Sequence, residues 1–280
     1  MSIAGGFDKA VDRAAEVGCD VLQVFTQPPR QFAGPANGPF RDEQVQAFRK
    51  RLIERNIEAP VAHSSYLINL ASPDETLWRR SLETFVCELQ RAEQLGLFGV
   101  ILHPGSYTTS SEEEGLRRVS EGLAEAIAQT NEAGVMCLLE CTAGQGTNLG
   151  NRLEHLATIL DAQPAPDRFG VCLDTCHLFA AGYPMGTEKE YRGTMRTLDK
   201  TVGIDRVKAI HLNDSKQPFG SRKDRHEHIG EGEMGLEPFR QLLNDRRFRS
   251  VPMYLETPKG KRGKQDLDRI NLKTLRGLVE

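Results

Sequence analysis

The sequence predicts an α/β chain of the (β/α)8 TIM-type barrel class, with the first of the eight strands missing. Three observations predict it. Eight helix-like and seven strand-like segments alternate strictly along 280 residues, the pattern of a parallel sheet covered by helices. The length suits one barrel, and no linker, composition break, repeat or low-complexity tract divides the chain, so a single domain over 1–280 is expected. Finally, six strand segments finish at or beside a His, Asp or Glu.

The elements follow in order. Residues 6–17 show helical spacing and stop at Gly18, and 20–26 (DVLQVFT) form a short buried strand. A Pro/Gly-rich loop, QPPRQFAGPANGP, leads into an amphipathic helix over 41–56. EAPVAH (58–63) is a strand, and Ser72-Pro73-Asp74 opens a long helix to Gly96, with Ser72 as N-cap and Pro73 in the first turn. A strand over 100–103 precedes a helix with a capping box at 111–114 that runs to about Ala133. Strands over 135–140 and 169–174 flank a helix over 151–163, and a weaker helix covers 188–201. A strand over 207–212, a helix over 236–244, a strand over 251–256 and a helix over 265–278 complete the chain. The first barrel strand belongs before Gly5, where the chain begins: either the strand is missing, or the start is set too late, or another segment fills the gap.

Bulk composition excludes several classes. A net charge of −3 gives no global attraction to nucleic acid, so any such surface is a local groove. No 18-residue apolar run exists, and MSIAGGFDKA lacks a signal-peptide pattern, so a cytoplasmic protein is expected. The six cysteines form no C-x-x-C and are expected as reduced, buried thiols; Cys172 reads as core.

The chemistry lies at the strand ends. His63, His103, Glu140, Asp174, His211 and Glu256 are separated by 40, 37, 34, 37 and 45 residues, about one strand–helix unit each. In a barrel of this class the C-terminal strand ends gather around one mouth, where active sites lie. Six buried charges without partners are expensive, so a shared ligand is the economical reading. His177 follows Asp174 closely in LDTCHLFAAG, and Asp224 and His226 share a face of KDRHEH. These nine His, Asp and Glu exceed the three or four donors of one zinc and suit two or three ions with bridging carboxylates, as in phosphoester hydrolysis. His155 reads as a surface histidine in mid-helix, and His228 as a non-ligand. The stretch HLNDSKQPFGSRKDRHEHIGEG mixes Asp and His with Lys216, Arg222, Lys223 and Arg225, which suits a phosphate substrate and equally a solvated polar loop.

Six stretches carry a specific resemblance: HSSYLINLASP, LHPGSY, LECTAGQGTNLG, LDTCHLFAAGY, HLNDSKQPFGSRKDRHEHIGEG and YLETPKG. In this order, from about residue 5 to 260, the chain resembles the endonuclease IV family of apurinic/apyrimidinic endonucleases. The resemblance implies three zinc ions per chain: one at His63, His103 and Glu140, a second at Glu140, Asp174, His211 and Glu256, a third at His177, Asp224 and His226. It makes Glu140 and Glu256 the catalytic carboxylates. It implies hydrolysis of the phosphodiester 5′ to an abasic site in duplex DNA, leaving a 3′-hydroxyl and a 5′-deoxyribose phosphate. Arg30, Tyr66 and Leu67 match positions that enter the minor groove, where unstacking costs least at a missing base. Lys216, Arg222 and Arg225 are expected at phosphates, and a monomer is expected.

The chain departs from that pattern in three places: the absent first strand, Cys141 where the family often has Asn, and Phe32 where Trp is common. The tail over 259–276 holds seven Lys or Arg against two Asp, a further phosphate contact or a solvated helix face. Two other functions compete. A sugar isomerase or epimerase on the same barrel accounts for Glu140, Asp174, His211 and Glu256 but leaves the other histidines unused. An inactive damage-binding module would bind without cleaving.

Overall fold

The computed structural model, which describes residues 1–34, 38–130 and 134–280, contains each of the seven strands the sequence predicts. They fall in two units, Met1–Leu139 with Thr158–Gly170, and Glu140–Ala157 with Val171–Glu280.

The first unit begins with α1 (Phe7–Val17), β1 (Val21–Val24), α2 (Asp42–Arg55), β2 (Glu58–His63), α3 (Glu75–Leu95), β3 (Gly99–Leu102), α4 (Glu112–Ala128) and β4 (Met136–Glu140). Its strands stand in the order β1-β2-β3-β4, all parallel. All four β3 residues are buried, as expected of a parallel strand covered on both faces. Helix α1 buries Phe7, Ala10, Val11 and Ala14, the three-and-four spacing of one apolar face. Gly18 ends it at φ 90, a left-handed conformation that Gly adopts without strain. Residues 1–6 carry no strand, and the Met1 ammonium donates to the Gln23 carbonyl of β1.

Two boundaries differ from the expected ones. Helix α3 is capped by Asp74, whose carboxylate accepts the Leu77 N–H at 2.9 Å. Ser72 does not cap it, because its hydroxyl is engaged with the Asp74 N–H. Ser111 caps α4 as expected by accepting the Glu114 N–H. That helix ends at Ala128, and the expected end near Ala133 lies outside the described residues.

The chain continues with α5 (Leu153–Asp161), β5 (Phe169–Asp174), α6 (Thr175–Ala181), α7 (Glu188–Thr201), β6 (Val207–His211), the short β7 (Asp214–Ser215) and β8 (His226–Glu227), α8 (Glu237–Leu243), β9 (Met253–Tyr254), the two-residue strands β10 (Lys261–Arg262) and β11 (Gln265–Asp266), and α9 (Leu267–Arg276). In the second unit β6 lies between β5 and β9, parallel to both, and the register sets Asp174 beside His211. β7 and β8 form an antiparallel hairpin. Helix α6 was not expected. It begins on the residue after β5 and buries five of its seven residues, so no polar face marks it in the sequence.

His155 is buried rather than a surface residue, and its Nδ1 accepts the Gly150 N–H at 3.1 Å. Ile159, four residues on and therefore on the same face of α5, is also buried. Replacing Asp74 with Ala should lower unfolding free energy by about 1 kcal/mol, the usual contribution of such a cap. Urea denaturation measures it, and an unchanged midpoint would assign the cap no weight.

Candidate metal centre

The second unit brings seven of the nine predicted donors together. Glu140, Asp174 and His211 end β4, β5 and β6, and Glu256 stands two residues past β9. Ligand atoms of these four lie within 4.8 Å of one another. His211 Nδ1 is 2.9 Å from Glu140 Oε1, 3.3 Å from Glu256 Oε2 and 3.8 Å from Asp174 Oδ2. Asp224 bridges the remaining pair, with its oxygens 3.3 Å from His177 Nε2 and 3.2 Å from His226 Nε2. Asp174 joins the two sets, at 3.7 Å from His226 Nε2.

Local folding fixes each group. Asp174 Oδ1 accepts the His177 N–H at the start of α6, so one carboxylate caps the helix that carries a neighbouring donor. His177 Nδ1 lies 2.9 Å from the Cys141 carbonyl, which only accepts, so that nitrogen carries the proton and Nε2 faces Asp224. Asp224 and His226 ride on the β7–β8 hairpin, which buried Asp214 anchors by accepting the N–H groups of Ser215, Gly230, Gly232 and Met234. At Gly232 a Cβ would fall 2.4 Å from the Ser215 carbonyl, so only glycine fits. Asp214 thus serves the backbone and not an ion.

Asn213 was missed in the sequence. It is fully buried, its Nδ2 donates to Asp174 Oδ2 at 2.6 Å, and its Oδ1 accepts the Glu256 N–H at 2.9 Å. Its own N–H donates to Thr175 Oγ1, whose hydroxyl donates to the Asn213 carbonyl. One amide side chain therefore sets two donors, Asp174 at the end of β5 and Glu256 beyond β9. The only hint in the sequence was its place two residues after His211.

Electrostatics agree with a cation site. Burial alone would push the three imidazoles down, but the carboxylates outweigh it. Asp174, Asp224 and Glu140 hold His177 well above its ordinary value. Cys172, Glu256 and Glu140 do the same for His211. Asp174 and Asp224 raise His226 to about 9. Asp224, despite burial, is pulled well below the carboxylate range by His177 and His226. Carboxylates packed this way favour positive charge beside them, which a divalent ion would supply in place of the protons.

Three cysteines border the cluster. Cys141 Sγ accepts the Asp174 N–H at 3.1 Å, and Cys176 Sγ lies among the Asp224 and His226 donor atoms. Burial pushes the Cys172 and Cys176 thiols up to about 12 and Cys141 higher still.

The first unit holds His63 and His103, with ring centroids 5.4 Å apart. His63 Nδ1 lies 2.8 Å from the Ser64 carbonyl and so carries the proton, presenting Nε2. His103 lies one residue past β3. Arg30 is exposed in the loop after β1. Tyr66 and Leu67, in the loop after β2, are 56 % and 37 % exposed, and Tyr66 packs edge-on against Phe25. Phe32 stacks under the Arg80 guanidinium at 4.3 Å.

In the second unit Lys216, Arg222 and Arg225 are exposed on the loop between β7 and β8. In the tail, Lys259 pairs with Asp268 and Arg262 with Glu231, so part of its charge is used within the fold. The Nδ1 of His228 faces the Asn271 amide at 3.1 Å.

The donor set is imidazole nitrogen and carboxylate oxygen, with tautomers fixed by backbone carbonyls. It fits divalent ions of the zinc type. Parallel strands ending in such a cluster define a metal-site α/β barrel enzyme. A family model described as "Xylose isomerase-like TIM barrel" matches residues 11–276. "Probable endonuclease 4" of Citrifermentans bemidjiense is 48 % identical over 280 residues, covering 100 % of this chain and 97 % of that one. The Chloroflexus aurantiacus protein of the same name is 45 % identical, covering 100 % and 96 %. The crystal structure of endonuclease IV from Thermus thermophilus superposes with a TM-score of 0.84 at 36 % identity, covering 99 % and 96 %. The chain belongs to the endonuclease IV family. D-Psicose 3-epimerase from Clostridium cellulolyticum, with a TM-score of 0.69 at 17 % identity over 98 % and 94 % of the two chains, shares the fold alone.

Truncating Asn213 to Ala should weaken metal binding roughly 10- to 100-fold, the usual effect of removing a group that orients ligands. Competition against a chromophoric chelator reads the affinity directly. Wild-type affinity in this variant would refute the orienting role.

Proposed function

We propose that the chain is a three-zinc endonuclease that hydrolyses the phosphodiester 5′ to abasic sites in duplex DNA, leaving a 3′-hydroxyl and a 5′-deoxyribose phosphate. The observation that carries this reading is the donor cluster of the second unit. Its two adjoining sets, Glu140–Asp174–His211–Glu256 and His177–Asp224–His226, exceed what one ion requires. The family resemblance adds His63 and His103 as donors to a further ion that shares Glu140. Zinc, when bound, supplies Lewis acidity toward water and toward phosphate oxygens.

The chain's residues do the rest. Glu140 and Asp174, fully buried, are held rigid. Glu256, with 19 % of its side chain exposed, remains open to solvent and so to the phosphate. Lys216, Arg222 and Arg225 position DNA phosphates, and Arg30, Tyr66 and Leu67 enter the groove at the lesion. The enzyme works as one domain and one protomer in the cytoplasm, on nucleoid DNA. Among the described residues no helix is long and apolar enough to cross a membrane.

A second reading, a sugar epimerase with one ion at Glu140, Asp174, His211 and Glu256, draws on that tetrad and on the epimerase-like fold. It leaves His177, Asp224 and His226 without a role.

A duplex with one tetrahydrofuran site separates the two. Incision that a chelator abolishes and zinc restores, with three zincs per chain by elemental analysis, is expected. Epimerisation of a ketose with a single ion per chain would replace this reading with the second. Glu256→Gln should lower incision at least about 100-fold while abasic-duplex affinity stays within a few-fold. Wild-type cleavage by that variant would remove Glu256 from the reaction.

A further inference from the structure

The long helix α3 carries three fully buried polar side chains, Ser81, Thr84 and Glu88, where apolar residues would be ordinary. Their spacing of three and four residues puts them on one face. Each accepts a backbone N–H from a loop. Ser81 Oγ accepts from Asn69 at 3.0 Å and Thr84 Oγ1 from Ala33 at 3.1 Å. Glu88 accepts from Ser65 at 3.0 and 3.4 Å, and its Oε1 also accepts from Gln27 Nε2 at 2.9 Å. Residues 27–33 surround Arg30, and residues 65–69 surround Tyr66 and Leu67. The stripe therefore holds both loops at once.

The loops are also sewn to each other. The Tyr66 N–H donates to the Pro29 carbonyl at 2.9 Å, and Ser65 Oγ lies 3.1 and 2.9 Å from the carbonyls of Pro29 and Gln31, on either side of Arg30. Ser65 is the knot: its hydroxyl engages the first loop and its N–H engages Glu88. Burial pushes the Glu88 carboxyl up to about 8 against the lowering pull of the Ser65 N–H and the His63 ring, so Gln is a close neutral mimic at this position.

We infer that the Ser81–Thr84–Glu88 stripe positions the lesion-reading loops, with Glu88 the positioning residue that couples the Arg30 loop to the Tyr66–Leu67 loop. The inference rests on the functional reading above for what the loops touch, and on hydrogen bonds for how they are held. Glu88 meets no DNA; it acts through Ser65 and Gln27.

The test uses Glu88→Leu, which keeps the volume and removes the acceptor, and Glu88→Gln, which keeps an acceptor. With zinc content and thermal melting checked, Glu88→Leu should bind a tetrahydrofuran duplex about tenfold more weakly, as expected when a buried N–H loses its acceptor, with affinity for undamaged duplex unchanged. Glu88→Gln should stay within about threefold. In a Tyr66→Ala background Glu88→Leu should cost little more, because both changes disable one unit. A full tenfold loss in that background overturns the inference.

Hydrogen exchange without DNA reads the same claim independently. The Ser65 amide should exchange about tenfold faster in Glu88→Leu while β3 amides stay protected. Unchanged loop exchange sinks the inference, whereas faster exchange in a protein with no preference for the abasic duplex sinks the functional reading instead. If Glu88→Leu does not fold, Thr84→Val provides the same comparison at the Ala33 amide.

Discussion

Two carboxylates with no accessible surface, Glu140 and Asp174, face the imidazoles of His177, His211 and His226. That juxtaposition is the constraint the second unit is built to satisfy. Isolated buried charge is expensive, so every nearby element contributes a compensating contact. The register of β5 on β6 sets Asp174 beside His211, the cap of α6 uses one Asp174 oxygen, and Asn213 uses the other. The hairpin that brings Asp224 and His226 is in turn held by Asp214. Remove the need to place those two acids and most of this scaffolding has no purpose.

The ends of strands were legible because parallel strands recur at regular intervals and a charged residue after an apolar run stands out. His63, Glu140, Asp174 and His211 were therefore placed at their strand termini from spacing alone. What could not be read depends on contacts between distant residues. Asn213 looks like any loop asparagine until Asp174 and Glu256 stand beside it. Helix α6 was invisible because burial on all sides removes the polar face that marks a helix. His155 was misplaced because a histidine in mid-helix gives no sign of which way it turns, and Gly150 supplies the partner that draws it inward. The buried polar stripe of α3 reads in sequence as ordinary helix composition.

Similarity of fold and of site part company in this chain. A sugar epimerase at 17 % identity shares the backbone plan, and a likeness of that kind speaks for the fold alone. Within this chain the short α6 and the β7–β8 hairpin carry His177, Asp224 and His226 beside the four donors at or just past the ends of β4, β5, β6 and β9. Both follow closely on a strand end, where connecting segments carry functional residues on a rigid scaffold.

The thiols around the cluster have a bearing on durability. Peroxides attack the ionised sulfur, and burial holds Cys141, Cys172 and Cys176 in the protonated state. Soft sulfur thus lies close to the centre in its protonated form, and Cys176 stands within reach of the Asp224 and His226 donors. Oxidation that begins at the thiolate is therefore disfavoured at this edge of the pocket relative to an exposed cysteine.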